Sequence, residues 1–299
     1  MALSGQSFLD VEALSLKTIQ VLFQKATKLK KTSPLPLGSK VLGLLFFEPS
    51  TRTRASFEMA AFRLGVKPLF FDPSQSSMVK GETIEDTALT LEALGASALV
   101  LRHSSPGMSL KISQLIKIPV INAGDGQRGH PTQALLDAYT IEQERGQLAG
   151  EKVLFVGDVK YSRVARSDIA LFQKMGAEVA ICAPSTLRTS EHDELKSFKS
   201  VTEGLEWASV CVMLRMQIER QKGFEVPSLK EYSKRFSITP ERLKNFRSDG
   251  ILLHPGPFNR EVELAVDVLK DPRTRILKQV ENGVFMRGAL LSEILGVDF

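Results

Sequence analysis

The sequence predicts an α/β fold made of two Rossmann-like domains with parallel sheets. Short apolar runs, such as 41–47 in the first half and 152–156 in the second, alternate with stretches whose apolar residues recur at helical spacing. The chain has 299 residues, 43% hydrophobic and 24% charged, which is enough for two ordinary globular domains with a core each. A turn at 146–150, bounded by glycines, separates the halves. We therefore predict a first domain over 1–146 and a second over 147–283.

The charge balance favours a small anionic ligand over a nucleic acid. The net charge is +5, but the basic residues are spread along the chain, and a solvated helix face explains the mild cluster at 234–247. Cys182 and Cys211 lie inside apolar runs, which predicts buried thiols in a reducing compartment. The four histidines form no local ligand pair, and the sequence shows neither a signal peptide nor a run of membrane-spanning length. We therefore predict a cytoplasmic protein that binds no metal.

After a predicted helix over 11–31, the stretch 46–54 joins a buried strand to a second helix through residues suited to an anion. Ser50 or Thr51 is the predicted N-cap, and a helix start presents free N–H groups and the positive end of the helix dipole. Arg52 and Arg54 lie in the first turn, where cations oppose the dipole unless an anion compensates them. The stretch therefore predicts a phosphate site, and the alternative is an ordinary capped helix with solvated arginines.

A polar loop over 72–83 carries Ser76 and Lys80, and a loop of this kind can bring a lysine into a neighbouring site. Ser77 and Lys80 also match the Ser-x-x-Lys pattern of acyl-serine hydrolases, but the Ser-Asp-Asn and Lys-Thr-Gly motifs that accompany it there are absent from the sequence. A plain surface loop is the other alternative.

Two more strand ends in the first half carry polar residues. The strand predicted over 98–101 ends at Arg102, and the next strand leads through a glycine-rich turn to His130 and Gln133. Ligands of α/β sheets bind at the carboxyl ends of the strands, so these side chains are candidates for a carbonyl or an amine. A solvated strand-end arginine and a histidine N-cap are the alternatives.

The second half opens like a Rossmann unit, yet Gly157 stands alone where a dinucleotide fingerprint has three glycines, so NAD binding is not predicted. Arg163 precedes a helix predicted over 164–175, and Arg215 follows a strand predicted over 209–214. Two guanidinium groups at separate strand ends are what a dicarboxylate requires. The alternative is a pair of surface arginines.

The remaining motifs of the second half are loops. The segment 221–243 is loop-rich and basic, and we predict that it closes over a site. A strand that begins at Ile251 runs into the stiff turn 254–257, in which Gly256 allows a close backbone approach. A purely structural turn is the alternative.

The string Ser-Thr-Arg-Thr-Arg at 50–54 resembles the carbamoyl-phosphate site of the transcarbamoylases, and the similarity extends from about residue 40 to 295. The Lys-Gly-Glu-Thr string at 80–83, the stretch 122–137 and the His-Pro-Gly-Pro string at 254–257 resemble the aspartate-specific branch, whereas ornithine-specific members carry a cysteine-containing motif at the last position. The chain is thus identified as a member of the aspartate/ornithine carbamoyltransferase family.

The resemblance implies roles for individual residues. Those implied to bind carbamoyl phosphate are Ser50, Thr51, Arg52, Thr53, Arg102, His130, Gln133, Gly256 and Pro257. Those implied to bind L-aspartate are Lys80, Arg163, Arg215 and Gln217. Arg102, His130 and Thr53 would be catalytic, because they would stabilise charge on the carbonyl oxygen as it develops.

The implied reaction moves the carbamoyl group from carbamoyl phosphate to L-aspartate, giving N-carbamoyl-L-aspartate and phosphate, in de novo pyrimidine (UMP) biosynthesis. It needs no cofactor. The resemblance also implies a homotrimer in which Ser76 and Lys80 serve the neighbouring subunit's site, and a C-terminal helix, about 284–299, that packs back on the first domain. No nucleic-acid or membrane partner is implied.

Four points stay open at this stage. Ornithine is the competing acceptor, although two arginines in the second domain favour an acidic one, and a non-catalytic subunit could keep the same fold. Whether a regulatory chain or a dihydroorotase associates is not readable from the residues. Two departures from the family pattern, Glu261 in place of glycine and Asp168 in place of asparagine, put local geometry in question.

Overall fold

The computed structural model describes residues 3–73, 76–218, 225–226 and 228–299. The chain divides into two compact units, unit 1 (1–136 and 280–299) and unit 2 (137–279). The first division falls inside one continuous helix, Pro131–Arg145, ten residues before the predicted boundary at Gly146, and the second falls inside the C-terminal helix.

Unit 1 is a parallel sheet with helices between its strands. Its strands are β1 (Val41–Phe46), β2 (Lys67–Phe71), β3 (Ala98–His103) and β4 (Val120–Asp125), in the order β2-β1-β3-β4. Its helices include α1 (Leu16–Lys31), α2 (Thr51–Arg63), α3 (Ile84–Ala93), α4 (Met108–Leu115) and the start of α5 (Pro131–Arg145). Strands β1, β3 and β4 are almost fully buried, as expected for apolar runs covered by helices on both faces. This arrangement brings the carboxyl ends of all four strands to one edge.

Unit 2 repeats the pattern with a sheet of order β7-β6-β5-β8-β9, again parallel. The strands are β5 (Lys152–Val156), β6 (Glu178–Cys182), β7 (Lys196–Ser197), β8 (Val210–Met213) and β9 (Ile251–Leu253). The helices include α6 (Arg163–Lys174), α7 (Val201–Trp207), α8 (Leu229–Phe236), α9 (Pro240–Leu243) and the start of α10 (Ile276–Leu295). The two-domain α/β fold predicted from the sequence is therefore confirmed. Cys182 and Cys211 are both buried and unbridged, and burial raises the pKa of Cys182 to about 11.

Three predicted elements are corrected by the structure. The first helix begins at Leu16, because the Ser15 side chain accepts a hydrogen bond from the Thr18 N–H and so caps it there. The segment predicted to be loop-rich over 221–243 contains α8 and α9, capped by the Ser228 and Thr239 side chains. Such local caps are weak signals in a stretch without a long apolar pattern.

The C-terminal helix begins at Ile276, whereas the sequence predicted its start at Gly283. Gly283 lies within the helix, where an added Cβ would come within 2.8 Å of the Arg287 guanidinium and 3.2 Å of Leu136. Gly288 similarly leaves room for Leu29 of α1. These close approaches pack the last turns of α10 on unit 1, as the sequence predicted. No helix among the described residues is both long and apolar enough to cross a membrane.

Candidate active site

The candidate residues of unit 1 collect at one edge of its sheet because three neighbouring strands end there. Phe46 of β1 is paired with Arg102 of β3, and the Phe47 N–H donates to the Arg102 carbonyl at 2.9 Å. The loop after β4 leads to His130 and into α5, which begins at Pro131 as predicted. Parallel strands thus bring three separate sequence motifs into one cluster.

The N-terminus of α2 has an unused hydroxyl. Ser50 is its N-cap residue, but its side chain makes no capping hydrogen bond. By contrast, serine or threonine side chains cap α1, α3, α6, α7, α8 and α9. The free N–H groups and hydroxyl of this helix start are therefore available to an anion.

The two arginines of the first turn of α2 behave differently. Arg54 forms an ion pair with Glu58 at 3.3 Å and stacks on Phe70 with 4.2 Å between the guanidinium carbon and the ring centroid. Arg52 and Thr51 are exposed beside the helix start. The sequence predicted one anion-binding role for both arginines, whereas the structure brings only Arg52 into that setting and uses Arg54 to cover the edge strand.

Arg102 is held in place by a carboxylate that sequence reasoning missed. Its Nε lies 3.3 Å from Oε2 of Glu48, and Nη1 lies 3.4 Å from the Ala123 carbonyl oxygen. Both side chains are mostly buried, with 15% of Arg102 and 18% of Glu48 exposed. The solvated strand-end arginine considered as an alternative is therefore wrong. Glu48 directly precedes the phosphate-type loop, and only its position at a strand end could have indicated this partner.

Three residues of the unit 1 cluster are buried, each less than one-tenth exposed: His130, Thr53 and Gln133. Nε2 of His130 lies 3.5 Å from the Thr53 hydroxyl, although 77 residues separate them along the chain. Backbone hydrogen bonds from Gln133 and Ala134 to the His130 carbonyl fix the helix start that carries them. The imidazole and the hydroxyl therefore lie together, and the same helix start carries the amide of Gln133. These are groups suited to a carbonyl oxygen and an amine.

The loop that follows β2 carries Ser76 and Lys80. Ser76 donates to the Pro73 carbonyl at 2.9 Å, and Lys80 ends a short 3-10 helix, Ser77–Lys80, with its side chain exposed. Neither residue joins the strand-end cluster of its own chain among the contacts described for it.

In unit 2, the turn after β5 is organised by Asp158. Its Oδ1 accepts from the Tyr161 N–H at 3.0 Å and its Oδ2 from the Gln217 N–H at 3.1 Å, and the side chain is fully buried. Gly157 has a φ of 113° and sits so close to the Tyr232 hydroxyl that a Cβ would lie 2.6 Å from it. The single glycine therefore serves a tight turn.

Arg163 begins α6 and is buried, with 5% of its surface exposed. Ser162 caps the helix by accepting from the Ala165 N–H at 3.1 Å. A surface arginine, the alternative considered from sequence, is thus wrong. A buried guanidinium at a helix start and a strand end is costly unless anions compensate it.

Arg215 and Gln217 follow β8 and contact each other, with 2.9 Å between Arg215 Nη2 and Gln217 Oε1. The backbone between them is tied to Glu263, whose Oε1 accepts from the Met216 N–H at 2.9 Å. Glu263 also accepts from the backbone and side-chain nitrogens of Asn259 at 2.5 and 2.8 Å, and burial raises its pKa despite these donors. This carboxylate, which sequence reasoning missed, joins the segment after β8 to the loop after β9.

The turn after β9 is held by its first residue. The His254 N–H donates to Gln279 Oε1 at 2.9 Å, and His254 Nδ1 accepts from the Gly256 N–H at 2.9 Å. Gly256 has a φ of 61°, and the Gly256–Pro257 peptide bond is cis. The three strand ends β5, β8 and β9 are adjacent in the sheet, so Arg163, Arg215 and this turn share one edge of unit 2.

A further contact links the turn after β5 to the segment before α8. Oε1 of Glu225 accepts from the Tyr161 hydroxyl at 2.6 Å and lies 3.1 Å from Lys160 Nζ. These hydrogen bonds lower the pKa of Glu225. Part of the predicted closing segment is thus attached to the residues next to Arg163, while residues 221–224 and 227 of that segment lie outside the described residues.

Two family models match the chain over most of its length. The model described as the carbamoyl-phosphate-binding domain of aspartate/ornithine carbamoyltransferase matches residues 6–143, and the model described as the Asp/Orn-binding domain matches residues 149–294.

Curated relatives and solved structures show the same similarity. An aspartate carbamoyltransferase catalytic subunit from Chlorobium phaeovibrioides is 43% identical over 298 residues, which cover 95% of this chain and 96% of that protein. One from Agrobacterium fabrum is 43% identical over 99% of this chain and 94% of its own length. The structure of Trypanosoma cruzi aspartate transcarbamoylase with carbamoyl phosphate and aspartate is 29% identical, with a TM-score of 0.90 over 98% of this chain and 97% of that one.

Proposed function

The chain belongs to the aspartate/ornithine carbamoyltransferase family, and on that premise we propose that it transfers the carbamoyl group of carbamoyl phosphate to the amino group of L-aspartate. The products are N-carbamoyl-L-aspartate and phosphate, and the reaction serves pyrimidine biosynthesis in the cytoplasm. The single observation that carries the acceptor assignment is the pair of guanidinium groups, Arg163 and Arg215, at adjacent strand ends of unit 2. A dicarboxylate suits them, whereas the cationic side chain of ornithine would be repelled.

In this proposal the unit 1 cluster binds carbamoyl phosphate. The phosphate occupies the start of α2, where Ser50, Thr51, Arg52 and Thr53 supply N–H groups, hydroxyls and a guanidinium. The carbamoyl group lies against Arg102, His130 and Gln133, and the backbone at Gly256 and Pro257 completes the set. The free hydroxyl of Ser50 supports this assignment, because a capping serine could not give its oxygen to a ligand without loss.

The chemistry is nucleophilic addition followed by loss of phosphate. The uncharged amine of L-aspartate attacks the carbamoyl carbon, and negative charge develops on the carbonyl oxygen of the tetrahedral intermediate. Arg102, His130 and Thr53 donate to that oxygen, and removing one such donor costs roughly 100- to 1000-fold in turnover in comparable sites. Holding two mutually repelling anions in reactive alignment supplies up to about 7–11 kcal/mol of the barrier reduction in favourable cases. Lys80, Arg163, Arg215 and Gln217 hold the acceptor.

We also propose a homotrimer in which Ser76 and Lys80 act in the neighbouring subunit's site. Unit 1 carries an exposed apolar surface around its edge strand, formed by Met59 and Phe62 of α2, 50% and 61% exposed, with Leu69 and Phe70 of β2. An edge strand with exposed apolar side chains is a poor solvent surface and a good subunit interface. The exposed side chain of Lys80 is free to reach a second chain.

Steady-state transfer tests the acceptor. The purified chain is assayed with carbamoyl phosphate and either L-aspartate or L-ornithine, following the ureido product. We expect product with aspartate only. Product with ornithine only would overturn the role of the two arginines, and no product with either would favour the non-catalytic subunit.

Mixed subunits test site sharing. Arg52→Ala and Lys80→Ala are each expected to inactivate the enzyme, because one removes a phosphate ligand and the other the cation supplied from the neighbour. If the site is shared, mixing the two variants restores part of the activity, since some interfaces then contain both intact groups. Mixed trimers verified by mass that recover no activity would overturn the sharing.

A further inference from the structure

Two carboxyl groups of unit 2 lie side by side in its interior. Asp168 on α6 and Asp137 on α5 are each 0% exposed. Among the described residues no N–H or O–H group reaches either oxygen of Asp168. After burial, the group that acts most strongly on Asp168 is the Asp137 carboxyl group, through its charge and through a side-chain hydrogen bond. Neither group belongs to the proposed substrate-binding set.

This arrangement requires a proton. Ionised carboxylates only accept hydrogen bonds, so two of them can be joined only if one carries a hydrogen. Two adjacent buried negative charges also repel each other strongly, which makes simultaneous ionisation costly. Burial, and next the charge of Asp137, raise the pKa of Asp168 well above its ordinary value. The two groups therefore keep one proton between them at a pH at which two free aspartates would both be ionised.

The other contacts indicate where that proton lies. Gln279 Nε2 donates to Oδ1 of Asp137 at 2.7 Å. A donated hydrogen bond stabilises the charged form of a carboxyl group, whereas Asp168 has no donor to stabilise its charge. Asp137 is therefore the carboxylate, and Asp168 is the acid that donates to it.

Asp137 in turn orients the amide that holds the proposed site turn. An amide has a donor end and an acceptor end, so donation by Gln279 Nε2 to Asp137 leaves Oε1 facing the other way. That oxygen accepts from the His254 N–H at 2.9 Å. His254 is the first residue of the turn that contains Gly256 and Pro257.

We propose that Asp168 is a positioning residue, which donates a shared proton to Asp137 and through Gln279 holds the His254 backbone and the Gly256–Pro257 turn. The role of that turn in binding carbamoyl phosphate rests on the proposed function. The existence of the shared proton does not rest on the proposed function. The shared proton and the binding role of the turn can therefore be overturned independently of each other.

The charged groups around this network are few. On α6, Arg163 begins the helix five residues before Asp168, and Arg166 faces outward to Glu191 at 3.1 Å. On α5, Asp137 is the charged group that acts on Asp168 within the described residues. At the far end, the ring of His254 accepts a hydrogen bond from the Gly256 N–H.

Infrared difference spectroscopy tests the proton directly. At pH 7 the wild-type chain should show the carbonyl band of a buried protonated carboxylic acid, and Asp168→Asn should lack it. Asp137→Asn should lack it as well, because an amide at 137 can donate to an ionised Asp168. A wild-type spectrum without the band, or a band unchanged in both variants, would overturn the shared proton.

Unfolding equilibria give a second measurement. The pKa of Asp168 is higher in the native state than in the unfolded chain. Its protonated form therefore stabilises the native state below the unfolded pKa. That contribution is lost progressively as the pH rises toward the native pKa. Between the unfolded and the native pKa of Asp168, the unfolding constant of the wild type should therefore rise with pH relative to that of Asp168→Asn, by up to about tenfold per pH unit. If the unfolding constants of the wild type and of Asp168→Asn change equally with pH, the proposal is contradicted.

Substrate kinetics test the positioning role. Asp168→Asn keeps a donor to Asp137, so its KM for carbamoyl phosphate should stay close to that of the wild type. Asp168→Ala and Gln279→Leu break the chain of hydrogen bonds at two points and should each raise that KM several-fold. If Asp168→Ala does not fold, Gln279→Leu decides, and a wild-type KM in the folded variants would overturn the positioning role.

Discussion

Oε2 of Glu48 lies 3.3 Å from Nε of Arg102, across the two strand ends that face the start of α2. The ion pair is mostly buried, so it is weakly screened and fixes the direction of the guanidinium group. Arg102 is therefore oriented before any substrate arrives. In the proposed reaction this arginine donates to the carbonyl oxygen, and orientation in advance lowers the cost of reaching the transition state.

Glu48→Gln is expected to lower kcat by about tenfold, because a neutral amide orients the guanidinium less firmly than a carboxylate does. Stability should change little, since the amide still accepts a hydrogen bond. Steady-state kinetics at saturating substrates measure the effect. Glu58→Gln is the matched control, because Glu58 pairs with Arg54 at the same 3.3 Å distance on the exposed face of α2. Equal losses in both variants would contradict a specific role for Glu48.

Ser50→Ala should raise the KM for carbamoyl phosphate without a loss of thermal stability, because the Ser50 side chain does not cap α2. Ser15→Ala should do the reverse. Ser15 accepts from the Thr18 N–H at 3.0 Å at the start of α1, so its removal should cost about 1 kcal/mol and leave KM unchanged. Kinetics and thermal melts of the two variants make the comparison, and a destabilised Ser50→Ala with normal KM would show that the serine is structural.

Glu263→Gln should raise the KM for L-aspartate more than that for carbamoyl phosphate. Its three donors, the Met216 N–H and the two nitrogens of Asn259, would face an amide that offers one accepting oxygen, so at least one buried donor loses its partner. That loss costs roughly 1–3 kcal/mol and displaces the segment that carries Arg215 and Gln217. Glu203→Gln, at an exposed position of α7, is the control. Equal KM values for aspartate in the two variants would argue against Glu263 as a positioning residue.

Glu261 has a φ of 62°, the left-handed conformation that favours glycine, and it is the only such non-glycine residue in the described part of the chain. Its side chain partly compensates by accepting from the Val266 N–H at 3.0 Å. Glu261→Ala loses that hydrogen bond and keeps the strain, whereas Glu261→Gly loses the bond and relieves the strain. We therefore expect the glycine variant to be about 1–2 kcal/mol more stable than the alanine variant. Denaturant unfolding decides, and an alanine variant of equal or greater stability would refute the strain.

The unusual residue at 261 was visible in the sequence, but its consequence was not. A glutamate in place of glycine raises a question about backbone conformation that only φ can answer, and the value of 62° answers it. The same holds for Asp168. An aspartate in place of asparagine is a small change in the sequence. Asp168 shares a proton only because Asp137, on another helix, is its neighbour.

Local chemistry determined most of the fold. The helix 131–145 and the strands 152–156 and 178–182 have the bounds that the sequence predicted, because each is a strongly patterned segment with a glycine or proline within two residues of its end. The boundaries that the sequence misplaced, at Leu16, Ile276 and in 228–243, depend on single capping hydrogen bonds or on close packing at Gly283. Such contacts leave no periodic signal.

By itself the sequence determined the fold class, the strand ends that carry polar residues, and the family. What only the tertiary structure decided is which of these residues face one another and which buried carboxylates hold them. Glu48 and Glu263 carry no motif, and Asp168 needs a neighbour 31 residues away to acquire its proton. The physical reason is that hydrogen bonds and buried charges act through space, over a few ångströms, whereas periodicity and turn chemistry act along the chain.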